Sequence, residues 1–361
     1  MEIKKIVITG GPCGGKSTAM TWIKSYFEER GWRVLFVPET ATELITGGVA
    51  PWTCGKNVDH QKCQMKLQIT KEEVFAYAAS TMPCEKLLIV CDRGALDNRA
   101  YMNDEEYRES LAYIGKHEVE LRDSYDAVFH LVTAALGAEK YYTTANNAAR
   151  TETVEEAIAL DNKIITAWTG HPHFRLIDNS TDFEGKMRRL LCEIASFLGE
   201  GEHYEIERKY LIAYPDIAWL EANPFCHRTE ILQTYLVAQD GEEIRVRQRG
   251  EGGHYTYFKT VKRPISDVKR VEEETVISER EYLTLLLDAD PALRPVRKTR
   301  YLLSYEGQYL EIDVYPFMPD TAIVEIELCS EDTPVILPPE FRLIREVTGD
   351  PQYKNRTLAA R

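Results

Sequence analysis

HYEIERKYL, residues 203–211, sets Glu205, Glu207 and Lys209 at alternate positions of a stretch that otherwise reads as a strand. Strand side chains alternate between faces, so these three charges share one face while Ile206, Arg208 and Tyr210 share the other. Such a face is either a solvated edge or a set of interior groups that are paired or hold ions, because an unpaired buried charge is too costly. The rest of the chain has to decide between the two.

Downstream the pattern recurs. IRVRQRG (244–250) puts Arg245, Arg247 and Arg249 on one face, KTVKRP (259–264) offers Lys259 and Lys262, and VKRVEEETVI (268–277) groups Arg270, Glu272 and Glu274. RKTRYLL (297–303) sets Lys298 with Arg300, YLEIDVY (309–315) Glu311 with Asp313, and IVEIELC (323–329) Glu325 with Glu327. Solvated faces of independent strands have no reason to trade basic pairs for acidic pairs in succession. A closed antiparallel barrel accounts for it, since inward positions of every strand share one tunnel that can hold a ligand. There the basic groups grip a string of phosphates and the carboxylates hold divalent cations that the phosphates also coordinate.

Over residues 203–361 the sequence resembles the CYTH family of triphosphate tunnel metalloenzymes. ExExK at 205–209 is that family's signature, and LQTYL, RVRQR, TVKRP, RVEEE, KTRY, LEIDVY, VEIEL and EVTGDPQYKN follow in the family's order. The resemblance implies Glu205, Glu207, Glu325 and Glu327 as metal ligands, with Glu205 and Glu207 carrying catalysis. It implies Lys209, Arg245, Arg247, Lys262, Lys298 and Arg300 as phosphate ligands, and leaves Glu272, Glu274 and Asp313 in roles that vary within the family. The implied chemistry is hydrolysis of inorganic triphosphate or thiamine triphosphate, or cyclisation of ATP, with Mg²⁺ or Mn²⁺.

The first half is of another kind. KKIVITGGPCGGKST (4–18) is a β-branched run, a glycine turn and the start of a helix that Gly31 closes. Gly10 to Ser17 meets the pattern GxxxxGK[ST]: the backbone of Gly10, Gly11, Pro12, Cys13, Gly14 and Gly15 curls around phosphate, Lys16 meets the terminal phosphates, and Ser17, next to Thr18, can ligate Mg²⁺. WRVLFVPET (32–40) and KLLIVCDRG (86–94) are buried strands whose carboxyl ends carry Glu39, Asp92 and Arg93. Ligands bind at the carboxyl ends of parallel strands, so these side chains open toward the loop. Asp92 is placed to share Mg²⁺, Arg93 to offset phosphoryl charge, and Glu39 to act as general base on an acceptor hydroxyl, each against the alternative of an ordinary polar strand end. AVFHLVTA (127–134) and FRLIDN (174–179) complete about five strands of a three-layer α/β domain with a parallel sheet.

Between those last strands a polar turn leads into a helix, and Arg150 at its start is placed like the arginine of a nucleotide-kinase lid. His171 and His173, separated by Pro172, read as a loop rather than a metal pair. Gln61, Gln64 and Gln68 fall near one face of a helix, where they either read an acceptor or, more often with such spacing, form a polar outer face. Residues 1 to about 199 resemble the P-loop kinase-like domain of the AAA group, related to ribosylnicotinamide and deoxynucleoside kinases, on GGPCGGKST, VPETATELI, CDRG, NNAARTE and RLIDN. That resemblance implies nucleotide binding, with phosphoryl transfer as a further expectation. Where the deoxynucleoside kinases usually carry Ser after the strand-end Arg, Gly94 stands here.

SFLGEGEH (196–203) breaks the helical pattern with two glycines and divides a P-loop domain, 1–199, from a tunnel domain, 203–361. Both together resemble the TRPL translocation defect 14 family, which opens a non-enzymatic alternative: a nucleotide-controlled regulator whose tunnel recognises a phosphorylated ligand or an anionic lipid head group. A net charge of −14 argues against nucleic acid as a partner while leaving ATP, GTP and other small phosphates open. The N-terminal stretch MEIKKIVITG reads as a strand rather than a leader, no apolar run suits stable membrane insertion, and eight cysteines without a CxxC pair suit a reducing cytoplasm.

Overall fold

The computed structural model describes residues 2–142, 153–200, 206–238, 242–264, 270–328 and 333–360. They fall into two compact units, Met1–Glu205 and Ile206–Arg361.

In the first unit, strands β1 (Glu2–Gly10), β2 (Arg33–Val37), β3 (Lys86–Asp92), β4 (Ala127–Leu131) and β5 (Phe174–Ile177) form a five-stranded sheet in the order β2-β3-β1-β4-β5. Every described pairing is parallel, as the β-branched runs predict. Helices α1 (Lys16–Glu28), α2 (Thr40–Thr46), α3 (Asn57–Thr81), α4 (Asp104–Ile114), α5 (Glu118–Arg122), α6 (Val154–Trp168) and α7 (Phe183–Phe197) connect and cover them. Ile6 and Ile8 pack with Ile23 and Phe27 of α1 and Leu190 and Ile194 of α7 on one face. Val7, Leu87 and Ile89 are equally buried on the other, so the strands read as continuous apolar runs. Helix α6 starts on a capping box: Thr153 Oγ1 accepts from Glu156 N–H and Glu156 Oε2 accepts from Thr153 N–H. Helix α3 corrects one expectation. Its Gln61, Gln64 and Gln68 are buried, not a polar outer face, because they continue the inward stripe of Val58 and Met65.

The second unit holds β6 (Ile206–Ala213), α8 (Ile217–Ala222), β7 (Cys226–Leu236), β8 (Glu243–Glu251), β9 (His254–Pro264), β10 (Arg270–Ile277), α9 (Glu279–Leu285), β11 (Val296–Tyr305), β12 (Gln308–Val314), β13 (Thr321–Leu328), β14 (Leu343–Glu346) and α10 (Asn355–Ala359). They build one nine-stranded antiparallel sheet, β10-β9-β8-β7-β11-β12-β13-β6-β14. The barrel expected from the charge alternation is not closed: β10 and β14 end the sheet on opposite sides. Closure would need β10 to pair with β14, but among the described residues β10 pairs with β9 alone and β14, four residues long with a register shift after Leu343, with β6 alone. At the β8–β9 turn, Gly252 (φ 58°) and Gly253 (φ 86°) supply the two positive φ values of a tight hairpin.

Each face of this sheet has its own character. Tyr210, Ile212, Leu303, Leu310, Ile312, Val324 and Ile326 form an apolar core on one side, covered by Leu220 of α8 and by Phe341. On the other, Leu211, Ile323, Tyr235 and Val296 gather with Leu358 and Ala359 of α10. The charged positions lie on this second face. No helix among the described residues is long and apolar enough to cross a membrane.

Candidate functional site

In the first unit the loop from Gly11 to Gly15 joins β1 directly to α1. Gly15 caps the helix at φ 100°, a conformation that disfavours any side chain, and Cys13 adopts φ 59°. The loop lies hard against the end of β4, since a Cβ on Gly10 or Gly14 would come within 2.1 or 2.5 Å of the Leu131 carbonyl oxygen. Lys16, Ser17 and Thr18 form the first turn of α1, whose N–H groups lack intrahelical acceptors, and Ser17 and Thr18 are exposed.

Glu39, Asp92 and Arg93 meet beside this turn. Arg93, at φ 69°, donates through Nε to Glu39 Oε1 at 2.7 Å and through Nη1 to Asp97 Oδ2 at 3.2 Å. Thr42 donates to the other Glu39 oxygen at 2.6 Å. Burial would raise the Glu39 carboxyl, but the charges of Arg93 and Lys16 and its two donors hold it down at about 2. Lys16 is lowered to about 8 by burial and by the nearby Arg93, against the pull of Asp92, Glu39 and Asp97. Burial raises Asp92 above the ordinary carboxylate range in spite of Lys16. Its Oδ1 is buried with no hydrogen-bond partner among the described residues, which fits a ligand for Mg²⁺ at this strand end.

Sequence reasoning missed Asp97. It is buried and takes Thr9 Oγ1 at 2.7 Å, Trp168 Nε1 at 2.5 Å and Arg93, so it holds the arginine in place. Its spacing of four from Arg93 on a one-turn segment was the available signal. The departure at Gly94 has a steric cause: a Cβ there would lie 2.7 Å from the Trp168 ring. Gln68 accepts from Thr40 Oγ1 and donates to Glu72 and to the Arg93 carbonyl, which joins α2 and α3 to the same strand end. His171 is buried, with Nε2 against the Tyr125 carbonyl and Nδ1 accepting from His173 N–H, a loop role. Arg150 and the 143–152 segment lie outside the described residues.

In the second unit, register places the charges. Glu325 stands opposite Lys209 and Glu327 opposite Glu207; across β12 and β13, Glu311 stands opposite Glu325. Arg300 faces Asp313, and β7 then carries the face on to Arg245 opposite Tyr235 and Arg247 opposite Gln233. Lys262 follows opposite Glu243, with Glu272 and Glu274 in register opposite Lys262 and Thr260. The named acids and bases thus share one face across eight strands. Lys259, opposite Val246, falls on the other face because it is three residues from Lys262.

Lys298, Asp313 and Glu325 are buried, Lys209, Arg300, Glu311, Arg247 and Glu274 are half-buried, Glu207 and Glu327 are exposed, and the inner charges are paired, so the face opened by residues 203–211 grades from a solvated rim to a paired interior. Lys209 Nζ reaches Glu325 Oε1 at 2.7 Å and Glu207 Oε1 at 3.1 Å. Arg300 donates to Asp313 at 2.7 and 2.6 Å, to Glu325 at 3.0 Å and to Glu311; Lys298 donates to Asp313 at 2.5 Å. Arg247 pairs with Glu274 at 2.8 Å. Burial would raise Asp313, but Arg300 and Lys298 hold it far below the usual range. Burial lowers Lys298, helped by Arg300. Glu207 is raised by burial and by Glu325. Glu207 and Glu327 stand directly across two strands at the exposed end of this face, with Lys209 reaching Glu207. No three His, Cys, Asp or Glu side chains converge to hold a metal among the described residues, and Glu205 lies outside them.

A glycine loop at the end of a parallel strand and, in a second unit, a sheet face of paired acids and bases define a two-unit protein with an α/β part and an antiparallel part. Residues 5–186, about half of the chain, match the AAA domain and residues 203–336 the CYTH domain, so the chain belongs to the AAA-domain family and carries a CYTH domain. An inorganic triphosphatase of Nitrosomonas europaea is 37% identical over 161 residues, 43% of this chain and 96% of that protein. One from Acetivibrio thermocellus is 31% identical over 160 residues, 43% of this chain and 92% of its own length. A solved inorganic triphosphatase structure, 35% identical, covers 44% of this chain and 95% of that one at a TM-score of 0.32.

Proposed function

We propose that the second unit hydrolyses inorganic triphosphate or another small triphosphate with Mg²⁺ or Mn²⁺, and that the first binds ATP or GTP with Mg²⁺. The single observation that carries the triphosphatase reading is the run of acids and bases on one sheet face, set by register from β6 to β10. Its sequence relatives are inorganic triphosphatases. Lys209, Arg245, Arg247, Lys262, Lys298 and Arg300 hold phosphate oxygens, while Asp313, fixed beneath Lys298 and Arg300, keeps those two cations aimed. Glu207, Glu325 and Glu327, with Glu205, hold the divalent ion. When bound, that ion neutralises phosphate charge and lowers the pKa of a water for attack on the terminal phosphorus. In the first unit, Lys16 and the loop backbone hold the β- and γ-phosphates, Ser17 and Asp92 hold Mg²⁺, Arg93 with Arg150 balances phosphoryl charge, and Glu39 accepts the proton of an acceptor hydroxyl.

A second reading is a non-catalytic regulator under ATP or GTP control, whose charged face binds a phosphorylated ligand or an anionic lipid head group. Glu39 favours it: a carboxyl held at about 2 in an ion pair with Arg93 is a weak proton acceptor. The domain order, resembling the TRPL translocation defect 14 proteins, also favours it. A cytoplasmic location is supported by the seven described cysteines, which stand as thiols rather than disulfides.

Phosphate release by the full chain from inorganic triphosphate, thiamine triphosphate, ATP and GTP, with Mg²⁺ or Mn²⁺, tests the proposal. Glu207→Gln is expected to lower turnover on the order of a hundredfold, the usual cost of losing one charge-stabilising group, and Lys16→Ala to leave it unchanged. Turnover of none of the four by the wild type, with saturable binding of a phospholipid head group, replaces the hydrolase with the regulator.

A further inference from the structure

The phosphate loop is held from behind by a carboxylate that no sequence motif marks. Asp161 of α6 is 1% exposed, and its Oδ1 accepts the Gly11 N–H at 2.6 Å and the Thr133 N–H at 3.3 Å and lies 2.9 Å from His130 Nε2. The contact is close enough to demand glycine, since a Cβ on Gly11 would come within 2.4 Å of the same oxygen. The next peptide is pinned too: Thr133 Oγ1 donates to the Pro12 carbonyl at 2.6 Å. Pro12 has no N–H, so one side of this bend is committed to protein groups while the first turn of α1 keeps its donors for a ligand.

Seven residues along α6, on the same face of the helix, Trp168 donates to Asp97, which holds Arg93. One helix therefore reaches both sides of the phosphate site, the loop through Asp161 and the strand-end arginine through Trp168.

We propose that Asp161 is a positioning residue that sets the phosphate loop in its ligand-receiving shape before nucleotide arrives, with Thr133 as its partner. The inference rests on the reading of the first unit as nucleotide-binding. It makes a prediction opposite in sign to simple electrostatics. A buried anion behind a polyphosphate site repels the ligand, so on charge alone removing Asp161 would tighten binding. A positioning acceptor works the other way: without it, the Gly11 N–H is left buried and unpaired and the loop must be ordered at the moment of binding.

Titration of the full chain with Mg²⁺–ATP and Mg²⁺–GTP, alongside melting of the ligand-free protein, separates the cases. Asp161→Ala is expected to weaken the better nucleotide about tenfold, the equivalent of one buried donor left unpaired. Asp161→Asn, which retains Oδ1 as an acceptor, should stay within about threefold of wild type on the same scale. Thr133→Val frees the Pro12 carbonyl without touching Asp161 and should weaken binding in the same direction, which keeps the test alive if Asp161→Ala does not fold. Tighter binding in both Asp161 variants, or a lowered melting temperature with unchanged nucleotide affinity in Asp161→Ala and Thr133→Val, overturns the proposal and leaves nucleotide binding standing. Equal affinity in wild type and Lys16→Ala overturns the nucleotide-binding reading, and this proposal with it.

Discussion

Replacing Asp313 by Asn is the sharpest test of how the charged face is held together. Asp313 is fully buried and is the shared acceptor of Lys298 Nζ and of Arg300 Nε and Nη2. Asn keeps the shape and one acceptor oxygen but removes the charge that offsets two buried cations. Removing one partner of a buried ion pair costs about 3–5 kcal/mol, because the other is left uncompensated. For a unit of this size that is a fall in melting temperature of about 6–20 °C. Part of the loss is returned when Lys298, already lowered by burial and Arg300, releases its proton. Added anion should return more, so inorganic triphosphate should stabilise Asp313→Asn more than it stabilises wild type. Calorimetry of the full chain, following the transition that triphosphate shifts, measures both effects. The pH dependence has a definite sign: the Asp313 carboxyl is depressed in the fold, so its contribution is complete above its unfolded value of about 4 and is lost as pH falls below it. A variant that melts with wild type and gains nothing extra from triphosphate would refute the claim that Asp313 holds this face together.

Two further outcomes follow from the first unit. Lys16 is held near 8 in the empty site and binds phosphate only when charged, so nucleotide affinity should be flat below pH 8 and fall by up to about tenfold per pH unit above it; titration calorimetry between pH 6.5 and 9.5 checks this, and a flat profile to pH 9.5 excludes the lysine. Gly94→Ser, which restores the residue usual in deoxynucleoside kinases, should destabilise rather than activate. Its Cβ would sit 2.7 Å from the Trp168 ring, an overpacking worth about 1–3 kcal/mol. A melting temperature equal to wild type would show that Trp168 moves freely.

What the sequence shows and what it hides divide along one line. The strands, the phosphate loop and the ordered charged pairs are local patterns, readable because a strand has period two and a phosphate loop is contiguous. Asp161 and Gly11 are 150 residues apart, and nothing around Asp161 distinguishes it from other acids on an amphipathic helix. The inward turn of Gln61, Gln64 and Gln68 is hidden for a related reason. Polar side chains on a helix normally face water, and these are buried because Glu72, Thr40 and the Arg93 carbonyl give the last of them partners that only the fold assembles. Barrel closure failed as an inference because alternation reports which way a side chain points, whereas closure depends on what meets the edge strands.

If the proposed function holds, the pairing on the charged face bears on how a triphosphate would enter it. Lys209, Arg300, Lys298 and Arg247 are already neutralised by Glu325, Asp313 and Glu274, so the ligand meets an electrostatically closed network rather than a bare basic cleft. A phosphate that takes Lys209 and Arg300 from Glu325 leaves a buried carboxylate beside Glu207, whose own pKa that neighbour already raises. The half-exposed Glu207 carboxylate and the buried Glu325 carboxylate would then repel each other with no cation between them. A divalent cation shared between the released carboxylates and the phosphate oxygens would relieve that repulsion without loss of charge. Under the proposed function, then, metal and triphosphate bind with positive coupling, and the ion pairs of the empty face are the reason each needs the other.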